Sequence, residues 1–113
     1  MMTDEWAMFE MATYIDCSKV YRFVGKNKYS PIEVPISVIA HKCTSNIDKN
    51  SPRYLRADIL KPVLLAFKVQ NPFDKPYRML DGRHRLLKTE QLGLSAIKAY
   101  LIDRDTMMRF VST

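Results

Sequence analysis

The sequence predicts an α+β fold, a small mixed β-sheet with helices packed against it. Three observations lead there. Apolar runs of strand length recur between Ile32 and Ile102. One helical pattern is bracketed by Gly82 and Gly93, two of the chain's three glycines. Between two strand-like runs, Gln70 to Pro76 carries two prolines, Asn71 and Asp74, the chemistry of a hairpin turn.

Composition bounds the class. At 113 residues the chain has the length of a single domain, residues 1–113, with one modest core. A hydrophobic fraction of 47% beside 27% charged residues belongs to a folded chain and not to a disordered one. No apolar run nears the ~18 residues that span a bilayer. The N-terminus, with Asp4 and Glu5 and no basic flank, is unlike a signal peptide, so a cytoplasmic protein without membrane contact is expected. Cys17 and Cys43 are isolated, without a CxxC, and read as free thiols. The net charge of +6 suits an anionic partner, nucleotide or nucleic acid, although a solvating basic surface has the same charge.

Taken in order, residues 1–12 carry Trp6, Met8, Phe9 and Met11 without a clean period, for core packing or for contact with a partner. From Thr13 to Val24, the alternation Tyr14, Asp16, Ser18 and the run Val20-Tyr21-Arg22-Phe23-Val24 read as β-structure, and Gly25 to Lys28 as a basic turn. Ile32 to Ile39 reads as a strand with Val34, Ile36 and Val38 on one face. Pro35 cannot donate to a ladder and argues for an edge or a bulge. His41 to Pro52 is polar and reads as a loop. Ser51 as N-cap and Pro52 at the first helical position predict a short helix ending near Leu60. Pro62 to Val69 is almost continuously apolar, the mark of a central strand buried on both faces. Ile97 to Ile102 reads as a last strand. Asp103 then caps a terminal helix toward Thr113, with Met107, Met108, Phe110 and Val111 as an apolar docking surface.

The stretch Arg78-Met79-Leu80-Asp81-Gly82-Arg83-His84-Arg85 is the candidate site. A strand-like run, Tyr77, Met79 and Leu80, stops at Asp81-Gly82, and a helix starts at once and runs to Leu92. Asp81 is placed to cap that helix, and Gly82 lets backbone approach a ligand closely. Arg83, His84 and Arg85 then fill a first turn whose free amides and dipole favour an anion. Each cation there opposes the dipole by on the order of a few tenths of a kcal/mol. A bound phosphate reverses that sign. The alternative is a solvated basic helix start on an ordinary α/β unit.

Asp81-Gly82-Arg83-His84-Arg85, following Tyr77-Arg78-Met79-Leu80, resembles the phosphate-binding box of the ParB/sulfiredoxin superfamily. That box reads Gly-Glu-Arg-Arg in ParB proteins, Gly-Gly-Cys-His-Arg in sulfiredoxins and Asp-Gly-His-His-Arg in free-serine kinases. Lys61-Pro62-Val63-Leu64-Leu65-Ala66 resembles the family's Lys/Gln-Pro-hydrophobic strand, and Ile97-Lys98-Ala99-Tyr100 its closing strand. The resemblance covers roughly residues 32–103 and leaves 1–31 as an N-terminal extension. It implies that Asp81 to Arg85 hold a nucleotide phosphate, with Arg83 and Arg85 as forks on a triphosphate. A nucleotide-bridged Mg²⁺ needs only one or two carboxylates besides phosphate oxygens, and Asp81 is the candidate, with helix capping as its other role.

Departures from the family narrow its activities. Sulfiredoxins work through a cysteine at the place held here by Arg83, and arginine is no nucleophile. The serine-kinase branch carries a catalytic glutamate where this chain reads Ala40-His41-Lys42-Cys43-Thr44, leaving His41 as a stand-in base. ParB proteins add a DNA-reading domain after this one and a glutamate in the box. His41 and Cys43 lack a second pair to complete a metal set, so no intrinsic metal site is expected. DNA contact would run through Lys19, Arg22, Lys26 and Lys28, and through Lys42, Lys49, Arg53 and Arg56. Two classes stay open. One is a nucleotide-binding module of a plasmid- or phage-type complex, with a protein or DNA partner. The other is an enzyme (an NTPase, a nuclease or a small-molecule kinase) with Asp81 or His84 as catalytic candidates.

Overall fold

The computed structural model describes residues 14–69, 71 and 73–112. Trp6, Met8, Phe9 and Met11 lie outside them. Five strands make the main sheet: β2 (Ile32–Pro35), β3 (Ile39–Ala40), β4 (Val63–Phe67), β5 (Tyr77–Asp81) and β6 (Ala96–Asp103). Their order is β2-β6-β4-β5-β3. β4 runs parallel to β6 and antiparallel to β5, so the sheet is mixed, as the sequence predicts. A two-residue ladder, β1 (Tyr14–Ile15) with β7 (Val111–Ser112), stands apart. Among the described residues four α-helices accompany the sheets: α1 (Cys17–Lys26), α2 (Pro52–Leu55), α3 (Arg83–Gln91) and α4 (Arg104–Met108).

β4 lies at the centre and alternates its side chains between two cores. Leu64 and Ala66 pack with Val20 and Val24 of α1 and Met107 of α4. Val63 and Leu65 point the other way, to Leu86 of α3 and to Ile97 and Ala99 of β6. Helices thus cover both faces, which is why this run is apolar at every position. Each fully buried leucine here contributes roughly 1.5–3 kcal/mol. Pro35 ends the edge strand β2, the position its missing donor requires. In the hairpin turn, the Asn71 side chain accepts from the amides of Phe73 and Lys75 and donates to the carbonyls of Val69 and Lys75.

The structure corrects several expectations. Thr13 to Val24 is not a strand beyond Ile15. Asp16 accepts from the Lys19 amide and caps α1, and Cys17, Val20, Tyr21 and Val24 fall on one helical face. That 3.6-residue period overrides the β-propensity of the valines and aromatics. The basic turn consequently shrinks to Asn27 and Lys28. Ile36–Val38 is a 3-10 turn that breaks the second strand. α2 stops at Leu55, short of Leu60. The terminal helix ends at Met108, where β7 follows shortly. Met107 is fully buried, and Met108, Phe110 and Val111 are partly buried against the α1 core, so that apolar surface is turned inward instead of standing free. Among the described residues, no helix is long and apolar enough to cross a membrane.

Candidate functional site

The end of β5 and the start of α3 open into a cleft of about 590 Å³. β5 carries one extra residue there: Leu64 faces Asp81 and Leu65 faces Met79, leaving Leu80 as a bulge. Bulges re-aim the residues that follow them. Here Asp81 turns away from the α3 amides, and the expectation that it caps the helix is overturned. Gly82 takes the N-cap position with φ +120°, and no described side chain caps the first turn. A Cβ on Gly82 would lie 2.3 Å from Val63 Cγ1, so glycine is needed both for its φ and for the contact between helix and strand.

Asp81 accepts instead from two donors. Tyr21 Oη, from α1, donates to Asp81 Oδ2 at 2.8 Å, and an Arg85 terminal nitrogen does so at 3.0 Å. The same nitrogen reaches Tyr21 Oη at 2.9 Å, and the other donates to the carbonyls of Lys61 and Pro62 at 3.2 and 2.7 Å. Arg85 is 9% exposed, and its guanidinium is engaged on both ends by the chain itself. Burial pushes the Tyr21 phenol well above its ordinary range; Asp81 adds to the rise and Arg85 opposes it.

Arg83 and His84, unlike the buried Arg85, are partly exposed. Arg83 reaches the Cys43 carbonyl at 3.0 Å and ties the loop after β3 to the helix start. The pKa of His84 is held below its ordinary value by burial first, then by the Arg53 and Arg83 charges. Around them, Lys42, Arg53, Arg56, Lys61 and Arg78 also line the cleft, giving, among the described residues, seven arginines and lysines against two carboxylates, Asp58 and Asp81. Such a cleft attracts anions and repels cations.

Remote groups hold this arrangement. Ser51 accepts from the Tyr54 amide and starts α2 as expected. Lys88 of α3 then donates to the carbonyls of Tyr54, Leu55 and Ala57. That bond set fastens the segment bearing Arg53 and Arg56 beside the box. Lys61 lies 5.1 Å over the Tyr21 ring. Of the expected nucleic-acid residues, Lys42, Arg53 and Arg56 therefore join the cleft, whereas Lys19, Arg22, Lys26 and Lys28 lie on or just after α1, outside its lining. Tyr21, Lys61 and Lys88 are not among the expected site residues. A signal for Tyr21 was present in the i, i+3, i+4 spacing after Asp16.

Both thiols are free, and both come near the box despite their distance in sequence. Cys17 lines the cleft and donates to the Leu80 carbonyl at 3.5 Å. Burial, with the Asp81 and Asp16 charges, pushes it up to about 11, the opposite of an activated thiol. Cys43 is exposed, and its bond with the Ser45 hydroxyl at 2.8 Å lowers its pKa. His41 lines the cleft with Nδ1 directed to the Lys42 carbonyl at 2.7 Å.

A metal fits the chain's own donors poorly. Asp81 Oδ2 already accepts two bonds, and Asp58 accepts from the Leu60 amide. Among the described residues no cluster of three or more metal-ligating side chains occurs.

Comparison with known proteins bears on the fold. No family model and no curated protein matches the sequence. Among solved structures, sulfiredoxin from Arabidopsis thaliana superposes with a TM-score of 0.50 at 18% identity, over 72% of this chain and 96% of that one. The chromosome-partitioning protein ParB from Caulobacter crescentus, C-terminally truncated and complexed with CTP-γ-S, gives a TM-score of 0.46 at 16% identity. That match spans 69% of this chain and 47% of the ParB chain. The chain has a sulfiredoxin-like fold.

Proposed function

We propose that the cleft binds a nucleotide through its phosphates, with the terminal phosphate at the first turn of α3. One observation carries the reading: α3 starts after its N-cap Gly82 with no acidic residue in its first turn and no described side-chain cap, facing a cleft in which arginines and lysines outnumber carboxylates among the described residues. The first-turn amides, Arg83 and His84 supply the contacts to phosphate oxygens. Arg85 has a different part: its guanidinium holds Asp81, Tyr21 and the Lys61–Pro62 backbone, and so fixes the helix start against β4. In this reading the chain is a binding module. Asp81, paired with two donors, is poorly placed to act as a base, and Mg²⁺ enters only as a counter-ion on the ligand.

Thermal-shift measurements with inorganic phosphate, ATP and CTP, each with and without Mg²⁺, test it. A ligand that binds only the folded state raises Tm. Arg83→Ala should weaken binding by about 1.5–3 kcal/mol, the range for a charged hydrogen bond. No shift with any of these ligands, or shifts untouched by Arg83→Ala, would overturn the assignment.

A further inference from the structure

We infer that Lys88 is a positioning residue for the anion site: from outside the cleft, its ammonium sets the single turn of α2 so that Arg53 and Arg56 form a second cationic arm beside the start of α3. The inference rests on the phosphate reading above and names the residue that orients part of that site. α2 has four residues, Pro52–Leu55. One helical turn does not recover its own nucleation cost, so its placement depends on contacts made from elsewhere. α3 supplies them. Tyr54, 8% exposed, packs with Leu87 and Ile47. Lys88 Nζ lies 5.7 Å from the Tyr54 ring centroid and donates to the carbonyls of Tyr54, Leu55 and Ala57 at 3.4, 2.9 and 3.0 Å. An ammonium has three N–H donors. Those carbonyls take them all, at a helix end where carbonyls lack intrahelical partners.

The consequence falls on the two arginines. Arg53 and Arg56 are three residues apart across the turn, the spacing that puts side chains on one side of a helix. Both are exposed and both line the cleft, which Lys88 does not. Among the described residues neither guanidinium has a hydrogen-bond or ion-pair partner, so both are open to an anionic ligand. Lys88, by contrast, uses its donors on the backbone and has none for a ligand. On α3, Lys88 follows His84 at i+4 and so lies on the same helical face. The turn that Lys88 holds therefore stands close to His84: after burial, the Arg53 charge is the next cause that lowers the His84 pKa. His84 thus reports, from within the site, where Arg53 stands.

The test combines calorimetry with ATP and NMR titration of the His84 ring in the free protein. Arg53→Ala with Arg56→Ala should weaken ATP binding about tenfold or more, the loss expected for charged hydrogen bonds. Lys88→Met should cause most of the same loss and add little to it in the triple variant, because its effect passes through the two arginines. In the free protein, Lys88→Met and Arg53→Ala should each raise the His84 pKa, and together no further than Arg53→Ala alone. A direct field from Lys88 would add to that of Arg53, and a purely structural role would lower stability and leave the His84 pKa in place. Should Lys88→Met fail to fold, Ser51→Ala replaces it with the same expectations, since Ser51 Oγ accepts from the Tyr54 amide and holds the other end of α2. Parent-like ATP affinity in the folded variant, an unmoved His84 pKa, or losses that add to those of the arginine pair would each overturn the inference and leave the nucleotide reading standing. If the parent protein binds neither ATP, CTP nor inorganic phosphate, both fall.

Discussion

Asp81 and Arg85 face each other at 3.0 Å across the start of α3, and Tyr21 closes the pair into a triangle. The acid ends β5, the arginine lies four residues on in the helix, and the tyrosine comes from α1 on the far side of the sequence. Three elements therefore meet at one set of hydrogen bonds. Because this pair is neutral overall, the charge offered to a ligand comes from Arg83 and the segment bearing Arg53 and Arg56.

Removing one partner should reveal what the triangle holds. Arg85→Met leaves Asp81 half-buried without its cation and four acceptor contacts unmade. Stability should fall by about 2–3 kcal/mol. Tyr21→Phe removes a neutral hydroxyl and should cost about 1 kcal/mol. Urea denaturation at neutral pH measures both. An Arg85→Met protein as stable as the parent would show that the triangle is incidental to the fold.

Glycine positions offer a sharper contrast. Gly82→Ala forces a Cβ into Val63 at 2.3 and 2.6 Å and into a φ of +120°, so a loss of about 3 kcal/mol or more is expected. Gly25→Ala lies within α1, has nothing within 4 Å of the new Cβ, and should gain about 0.5–1 kcal/mol. Pairing Gly82→Ala with Val63→Ala should not restore stability, because the φ remains and a cavity is added. Melting curves of the three variants decide it. A neutral Gly82→Ala would mean that the helix start can shift away from β4.

Local signals were readable in the sequence, and contacts between distant segments were not. β4 was legible because both its faces are buried, which leaves no polar residue to blur the run from Val63 to Ala66. α3 was legible because Gly82 and Gly93 punctuate it, and the box because its residues are contiguous. α1 was misread: Val20, Tyr21, Phe23 and Val24 favour strands locally, and only the capping bond of Asp16 and the burial of Val20 and Val24 tip the balance. Asp81 has the chemistry of a cap, but the Leu80 bulge turns it to Tyr21, 60 residues away. Lys88 reaching back to residues 54–57 is likewise a property of packing, with no local signature.

The two thiols should behave oppositely. Cys43 is exposed with a lowered pKa, so at mildly alkaline pH it should react first with a disulfide reagent, and Cys43→Ser should remove that fast phase. Cys17 should react only on unfolding. Its pKa is raised from the ordinary 9.0 to about 11, so folding favours the protonated thiol. That contribution is complete below pH 9 and is lost as pH rises toward 11, a loss that Cys17→Ser should remove in part, since Tyr21 titrates in the same sense higher up. Phosphate binding should persist in the double serine variant. Loss of binding in a folded double variant would bring a thiol back into the mechanism.

His84 supplies the pH test of the site itself. In the free protein, burial and then the Arg53 and Arg83 charges hold its pKa below the ordinary 6.5, so the imidazole is neutral at pH 7. A depressed histidine pKa means that the fold prefers the neutral ring. That small contribution is present above pH 6.5 and is lost as pH falls through the folded-state pKa. An anion seated between Arg53, His84 and Arg83 offsets both cations and accepts a bond from the imidazolium, so the pKa must rise on binding. By linkage, the protein then takes up protons with the ligand, and binding tightens as pH falls from the bound pKa toward the free one. The ligand's own phosphate also titrates near pH ~6, so affinity alone would mix the two groups. NMR titration of the His84 ring proton, assigned with His41→Gln, separates them. With saturating ATP the His84 pKa should move upward, and Arg83→Ala should raise it in the free protein and shrink the ligand-induced change. An unmoved or lowered His84 pKa in the presence of bound ATP would place the phosphate elsewhere than at the start of α3.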